Sequence, residues 1–167
     1  KYAQVKGLPD YPVFTRKTGT DLSYFACAKK LLKLREWIYP QFATHNAHTV
    51  SGVLSMAGAN RTGFEFQKLH GMGSEIYDQI VGQYPCRIYA PVGNHVDLLP
   101  YLVRRLLENG ANSSFVNQLQ NREVNLERLV YDPIRDQELH HFARHPKIAL
   151  PKDLFGSARQ NSSGLLL

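Results

Sequence analysis

The spacing of three short apolar runs constrains this chain more than any other feature. The runs begin at Trp37 (WIYPQFA), Phe64 (FEFQKL) and Cys86 (CRIYA), and each is followed by a polar loop and a helical pattern. A repeat of roughly 25 residues is the length of a β-loop-α unit and too long for a hairpin. Successive units of this kind require parallel strands, right-handed crossovers and helices packed on the sheet. The pattern predicts strands over 37–43, 64–69 and 86–90, with Pro40 weakening the ladder of the first. The middle run alternates at period two, with Phe64, Phe66 and Lys68 on one side and Glu65, Gln67 and Leu69 on the other. The predicted helices run from Thr49 to Ala57, ending near Gly58, from Ser74 as N-cap to about Val81, and from Asp97 to Gly110. The last placement is the one that leaves Pro100 in the first turn, where a missing N–H is harmless.

Before the first strand, Asp21–Leu34 reads as an amphipathic helix capped by Thr20 or Asp21. After the third helix the pattern is less regular. Ser114–Leu119 and Leu126–Tyr131 look helical, while Asp132-Pro133 and His145-Pro146 break the pattern. From Lys147 the chain reads as a linker or an extended surface segment. Three strands cannot close a barrel, and an open three-stranded parallel sheet is small for an α/β fold. The missing strands are therefore expected from elsewhere. A first residue of Lys1 rather than Met points the same way, to a fragment, a processed chain or an internal domain.

With 43% hydrophobic and 20% charged residues the chain has ordinary globular composition, and no apolar run approaches the ~18 residues of a membrane span. Cys27 and Cys86 make no disulfide framework. Both are expected to be small buried hydrophobes in a reducing compartment. The formal charge of +6 invites a nucleic-acid reading, but the basic doublets Arg16-Lys17, Lys29-Lys30 and Arg104-Arg105 lie in separate segments without a recognition signature. An anionic small ligand, or a plain surface, suits this charge better.

The third helix carries the strongest candidate site. Tyr101, Arg104, Arg105 and Glu108 fall at i, i+3, i+4 and i+7, and Leu and Val dominate the rest. At about 100° per residue these four share one stripe. Two guanidinium groups beside a phenol can hold a carboxylate by charge-assisted hydrogen bonds, although the same stripe is also what a solvated helix face looks like. In folds of βα units, ligands lie at the carboxyl ends of strands, and crossover geometry puts Tyr89, Tyr101 and Arg104 at that rim. The pentad Thr44–His48 occupies the corresponding place after the first strand. His45 and His48 could ligate a metal, but no carboxylate or cysteine at ligand spacing supports one. His70–Gly73 reads either as an anion-binding turn or as a tight βα turn. Thr15, Arg16, Lys17 and Thr20 form a polar cluster before the first helix, either a surface loop or contacts to a dinucleotide. No catalytic triad, Cys-His pair or phosphate-binding loop is present, so the chain offers no side-chain nucleophile, and if it is an enzyme a cofactor should supply the chemistry.

Taken together, YPVFTRK (11–17), IYPQFATHNAHT (38–49), FEFQKLHGMG (64–73), CRIYAPVG (86–93) and YLVRRLLENGANSSFV (101–116) resemble the proline dehydrogenase domain of the bifunctional bacterial proline utilization A flavoproteins. The likeness runs from Lys1 to Val116 and resumes over 145–164, which resembles the connector towards that family's aldehyde dehydrogenase domain. The resemblance implies a (β/α)8 TIM-type barrel that holds FAD without a covalent bond and oxidises L-proline to Δ1-pyrroline-5-carboxylate. It implies that Arg104 and Arg105 clamp the substrate carboxylate and that Tyr89, Tyr101 and Leu69 wall the ring. Thr15, Lys17, Thr20, Thr44, His45 and Glu108 would be cofactor contacts, with Gln67 a neighbour of the flavin, and no side chain would act as acid, base or nucleophile. On this reading residues 1–119 are the last three βα units of the barrel and 120–167 a helical extension and linker. The earlier strands of the family supply a lysine, an aspartate and an R-x-V-K-G-A-Y-W type motif, all absent from this sequence. The resemblance thus implies a segment of a longer polypeptide, incomplete as an FAD pocket. Its partners would be the rest of the barrel, the aldehyde dehydrogenase domain and a membrane-quinone acceptor, in the cytoplasm or at the inner membrane face. The other readings are a non-catalytic half-barrel with a salt-bridged arginine face, and a barrel enzyme that binds a phosphorylated substrate at His70–Gly73.

Overall fold

The computed structural model describes residues 2–110 and 130–162. The order of elements is α1 (Tyr2–Lys6), α2 (Lys17–Lys33), β1 (Gln41–Ala43), α3 (Ala47–Ala57), β2 (Glu65–Leu69), α4 (Ser74–Tyr77), β3 (Cys86–Tyr89), α5 (His95–Gly110) and α6 (Pro133–Leu139), then a 3-10 turn at Pro151–Asp153. The expected α/β architecture is present. The three strands form one parallel sheet in sequence order. Gln41 pairs with Glu65, Ala43 with Gln67, Gln67 with Arg87 and Leu69 with Tyr89. The chain divides into two compact units, one of residues 1–23 with 132–167 and the other of residues 24–131.

The second unit holds the sheet. Period-two alternation delivers Phe42, Phe64 and Phe66 to the helix side, where they cluster with Ala28, Leu32, Val50, Val53, Ala57 and Tyr77. The rings meet edge to face or tilted: Phe64 and Phe66 lie 5.8 Å apart at 79°, and Phe66 and Tyr77 6.4 Å apart at 73°. Such pairs add to the gain from area burial. Lys68 shares this side; its amine donates to Ser74 Oγ at 3.5 Å and lies over the Tyr77 ring. Asn46 caps α3 by accepting the His48 N–H at 2.9 Å, and Gly58 closes it.

The first unit joins the beginning of the chain to its end. Asn161 Nδ2 donates to the carbonyls of Gln4 and Pro151, and the Tyr11 hydroxyl to Ala149 O. Arg16 Nε donates to Ala143 O, Gln137 Nε2 to Thr18 Oγ1, and the His145 N–H to Thr15 Oγ1 at 2.9 Å. The segment after Lys147 is accordingly turned and tied by hydrogen bonds, more than its composition suggests.

Several boundaries differ from expectation. β1 starts at Gln41 because residues 34–38 still turn with the end of α2, the Trp37 and Ile38 N–H groups both bonding Leu34 O. α2 begins four residues early, at Lys17, so Asp21 lies within it and pairs with Lys17 instead of capping. α4 is a single turn led by Gly73, with Ser74 inside it. Asn94, not Asp97, caps α5: its Oδ1 accepts the Asp97 N–H at 3.1 Å, and Pro100 lies inside the helix. Asp132-Pro133 starts a helix instead of breaking one, since Asp132 Oδ1 caps Ile134 and Pro133 fills the first position. Cys27 is exposed, not buried. The helices expected within 111–129 lie outside the described residues.

Candidate active site at the carboxyl ends of the strands

A parallel sheet brings the carboxyl ends of its strands to one edge, so Ala43, Leu69 and Tyr89 end together. The register makes Leu69 and Tyr89 direct neighbours, which unites two of the residues expected to wall a substrate ring. Leu69 is buried and Tyr89 half-buried. The loop after β1 is fastened to this edge by a side chain: His45 Nε2 accepts the Leu69 N–H at 3.1 Å. An accepting nitrogen carries no proton, so the neutral ring has its hydrogen on Nδ1.

Two residues hold the edge in place: Tyr77, which sequence reasoning passed over, and Gly73, which it placed in a tight turn. Tyr77, fully buried, shares its one hydroxyl proton between Thr44 O at 2.7 Å and Gln67 O at 2.9 Å, tying the end of β2 to the loop after β1. Burial pushes its phenol well above the usual range, so it remains a donor. Burial likewise pushes Tyr24 up to about 12. Gly73 has φ +68°, and a Cβ there would stand 3.0 Å from His45 Cδ2. The second glycine of HGMG thus serves close packing as well as a left-handed turn. With α4 only one turn long, this segment is a βα turn that positions His45, and the phosphate reading of His70–Gly73 loses its helix.

Beneath the edge, on the side of the sheet away from the helices, lies a polar cluster of which the alternation had placed Glu65 and Gln67 on one side. Glu65 is buried and accepts Arg87 Nε at 2.6 Å, Arg87 Nη2 at 3.0 Å, and the amides of Gln41 and Gln67 at 3.0 Å each. The hydrogen bond from Arg87 is the main influence holding its carboxyl below the usual range. Glu65 in turn raises the Arg87 pKa. A charged residue at the same parity on each of two adjacent strands was the available signal for this cluster.

On α5, Arg105 lies over the Tyr101 ring at 5.8 Å, both half-buried, and its Nε is shielded from solvent; Arg104 is exposed. Glu108 lies on the same helix, with its side chain outside the described residues. In the first unit Thr15 accepts the His145 N–H, Lys17 pairs with Asp21, and Thr20 is exposed in the first turns of α2. A cavity of about 180 Å³ there is lined in part by Thr15, Arg16 and Gly19. His48 packs edge-on against Phe25 at 5.5 Å and beside Tyr131 at 5.8 Å. Among the described residues no group of three or more His, Cys, Asp or Glu could hold a metal ion, and no helix is long and apolar enough to cross a membrane.

Comparison with known proteins shows which family the sequence resembles. The proline dehydrogenase family profile matches residues 1–118. The chain is 55% identical over 180 residues to the bifunctional protein PutA of Klebsiella aerogenes, across 99% of this chain and 14% of that protein. It is 32% identical over 107 residues to proline dehydrogenase 1 of Bacillus subtilis strain 168, across 62% of this chain and 34% of that protein. A crystal structure of Bradyrhizobium japonicum Proline Utilization A (PutA), in a mutant form, superposes with a TM-score of 0.87 at 56% identity, covering 98% of this chain and 17% of that one. The Bdellovibrio bacteriovorus PutA inactivated by N-propargylglycine gives 0.73 at 37% identity, over 81% and 14%. The chain therefore spans about a seventh of the length of the first curated relatives it matches.

Proposed function

The chain belongs to the proline dehydrogenase family, and we propose on that premise that it is the closing part of a flavin-dependent proline dehydrogenase. Residues 1–119 would supply the last three βα units of a (β/α)8 barrel, and 120–167 an extension leading to an aldehyde dehydrogenase domain. The remaining strands would come from the rest of a polypeptide about seven times as long. The exposed α5 residues Leu99, Leu102, Val103, Leu106 and Leu107 support this, because an apolar stripe of that size calls for cover. The whole enzyme would work in the cytoplasm and pass its electrons to a membrane quinone.

The observation that carries this reading is the His45–Leu69 hydrogen bond, which joins a loop of cofactor-type residues to the wall expected for the substrate. The residues at this edge fit FAD in kind. Thr44 offers a hydroxyl, His45 an Nδ1–H donor and Gln67 an amide oxygen, beside the side chains of Leu69 and Tyr89. When bound, FAD would supply the two-electron acceptor that none of these side chains can be. Arg104 and Arg105 would bind the carboxylate of L-proline, and Tyr101, steadied under Arg105, would limit the ring on the helix side. Leu69 and Tyr89 would orient the ring carbon and exclude water from it. Thr15, Lys17, Thr20 and Glu108 would hold the cofactor's phosphate and sugar portions. The gain is positioning and electrostatics, with no acid–base residue required.

The test uses the full-length protein. It should carry flavin absorbance that bleaches on anaerobic addition of L-proline, with Δ1-pyrroline-5-carboxylate as product. A colourless protein, or one whose flavin ignores proline, would overturn the assignment.

A further inference from the structure

The cross-strand bonding of Arg87 departs from its ladder register. Its partner across the ladder is Gln67, yet both guanidinium hydrogen bonds go to Glu65, two residues closer to the amino ends of the strands. The Gln67 amide bends to the same carboxylate. A carboxylate only accepts, so Gln41 and Gln67 must both turn their NH₂ groups to it. Glu65 therefore collects three side chains below the carboxyl edge.

The arrangement has a consequence for charge. Arg87 lies two residues before Tyr89 on one strand face, a separation of about 7 Å. Its side chain, 60% exposed, is long enough to rise to the edge if released. There it would be a further guanidinium facing a small carboxylate ligand, in addition to the pair on α5. Resting on the function proposed above, we propose that Glu65 is a positioning residue: it draws Arg87 below the substrate edge and neutralises it. The carboxylate of the amino acid is then left to Arg104 and Arg105, and the ring binds in one orientation. Glu65 touches neither substrate nor cofactor in this role and acts through Arg87.

The proposal is tested in the full-length flavoprotein with cyclopentanecarboxylate, a ring acid with no amine to oxidise, titrated against the spectrum of the bound flavin. In the native background Arg104→Met should weaken its binding about thirtyfold, the value of a charge-assisted pair. In a Glu65→Gln background the same substitution should cost less than about fivefold, because the released Arg87 offers a substitute fork. In Glu65→Gln/Arg87→Gln, which has neither charge, the factor should return to about thirtyfold. An identical factor in all three backgrounds overturns the proposal, since a purely structural Glu65 would not couple to Arg104. If Glu65→Gln alone does not fold, the double variant decides: retained ring-acid affinity supports neutralisation, and lost affinity overturns it. Absence of flavin or of proline bleaching in the native protein would instead overturn the function itself.

Discussion

The two sides of the sheet solve different problems with the same strands. The helix side is closed by size and shape, with Phe64 and Phe66 at 0% exposure and four rings interlocked. The other side is held by charge and hydrogen bonding, with Glu65 as the hub of Arg87, Gln41 and Gln67. The first side depends on volume and is indifferent to what is bound at the edge. The second tolerates changes of volume better than changes of charge, and it underlies the residues that would meet a ligand. A substitution should therefore show which side it lies on by whether it moves stability or binding.

The sharpest separation comes from Phe66→Ala, which should lower the unfolding free energy by about 3–5 kcal/mol in denaturant titrations. Retained stability would show that the aromatic layer is not the structural side. Arg104→Met or Arg105→Met should do the reverse in the full-length enzyme, raising the proline KM by a factor worth about 2–3 kcal/mol with little change in melting. An unchanged KM in both variants removes the clamp. Tyr77→Phe lies on the boundary, since its ring is in the core while its hydroxyl serves the edge. Loss of the donor to two carbonyls should cost about 2 kcal/mol of stability and loosen the loop after β1. A variant as stable as the parent would mean those carbonyls find other donors. Gly73→Ala should cost about 1–2 kcal/mol from φ alone and displace His45, visible as faster amide exchange at Leu69. Unaltered exchange there would detach the glycine from the edge.

The smallest effect is a dependence on pH. Arg87 holds the Glu65 carboxyl below its usual value of 4.5. A depressed folded value stabilises the protein above the unfolded one, and that stabilisation disappears as pH falls through the folded value. The stability difference between the native chain and Glu65→Gln should thus be constant near neutrality and shrink below about pH 4.5. A difference that widens in acid would reverse the assigned direction.

What could be read from the sequence follows the same division. Alternation in FEFQKL and the recurrence of βα spacing identified the parallel sheet, and the pairing of Leu69 with Tyr89 follows once the strands are parallel. The stripe on α5 was legible as a periodic pattern, though its start was not. A short-range rule about Pro100 favoured Asp97, whereas the Asn94 side chain captures the Asp97 N–H and carries the helix through the proline. Asp132-Pro133 misled for a related reason, because the residues that break a helix also begin one. The tight turn at Gly73 was legible, but Tyr77 stayed invisible because its role depends on an atom brought close by the crossover, Thr44 O, 33 residues away.

The bonds from Gln137 to Thr18 and from Asn161 to Gln4 link positions 119 and 157 residues apart. At a synthesis rate of about 5–20 residues per second, Gln4 and Thr18 wait on the order of ten seconds for these partners. The aromatic core between Ala28 and Cys86 needs no such delay and can collapse while translation continues. During that interval residues 4–18 are without these partners, and a chaperone that shields unpaired polypeptide would act on them.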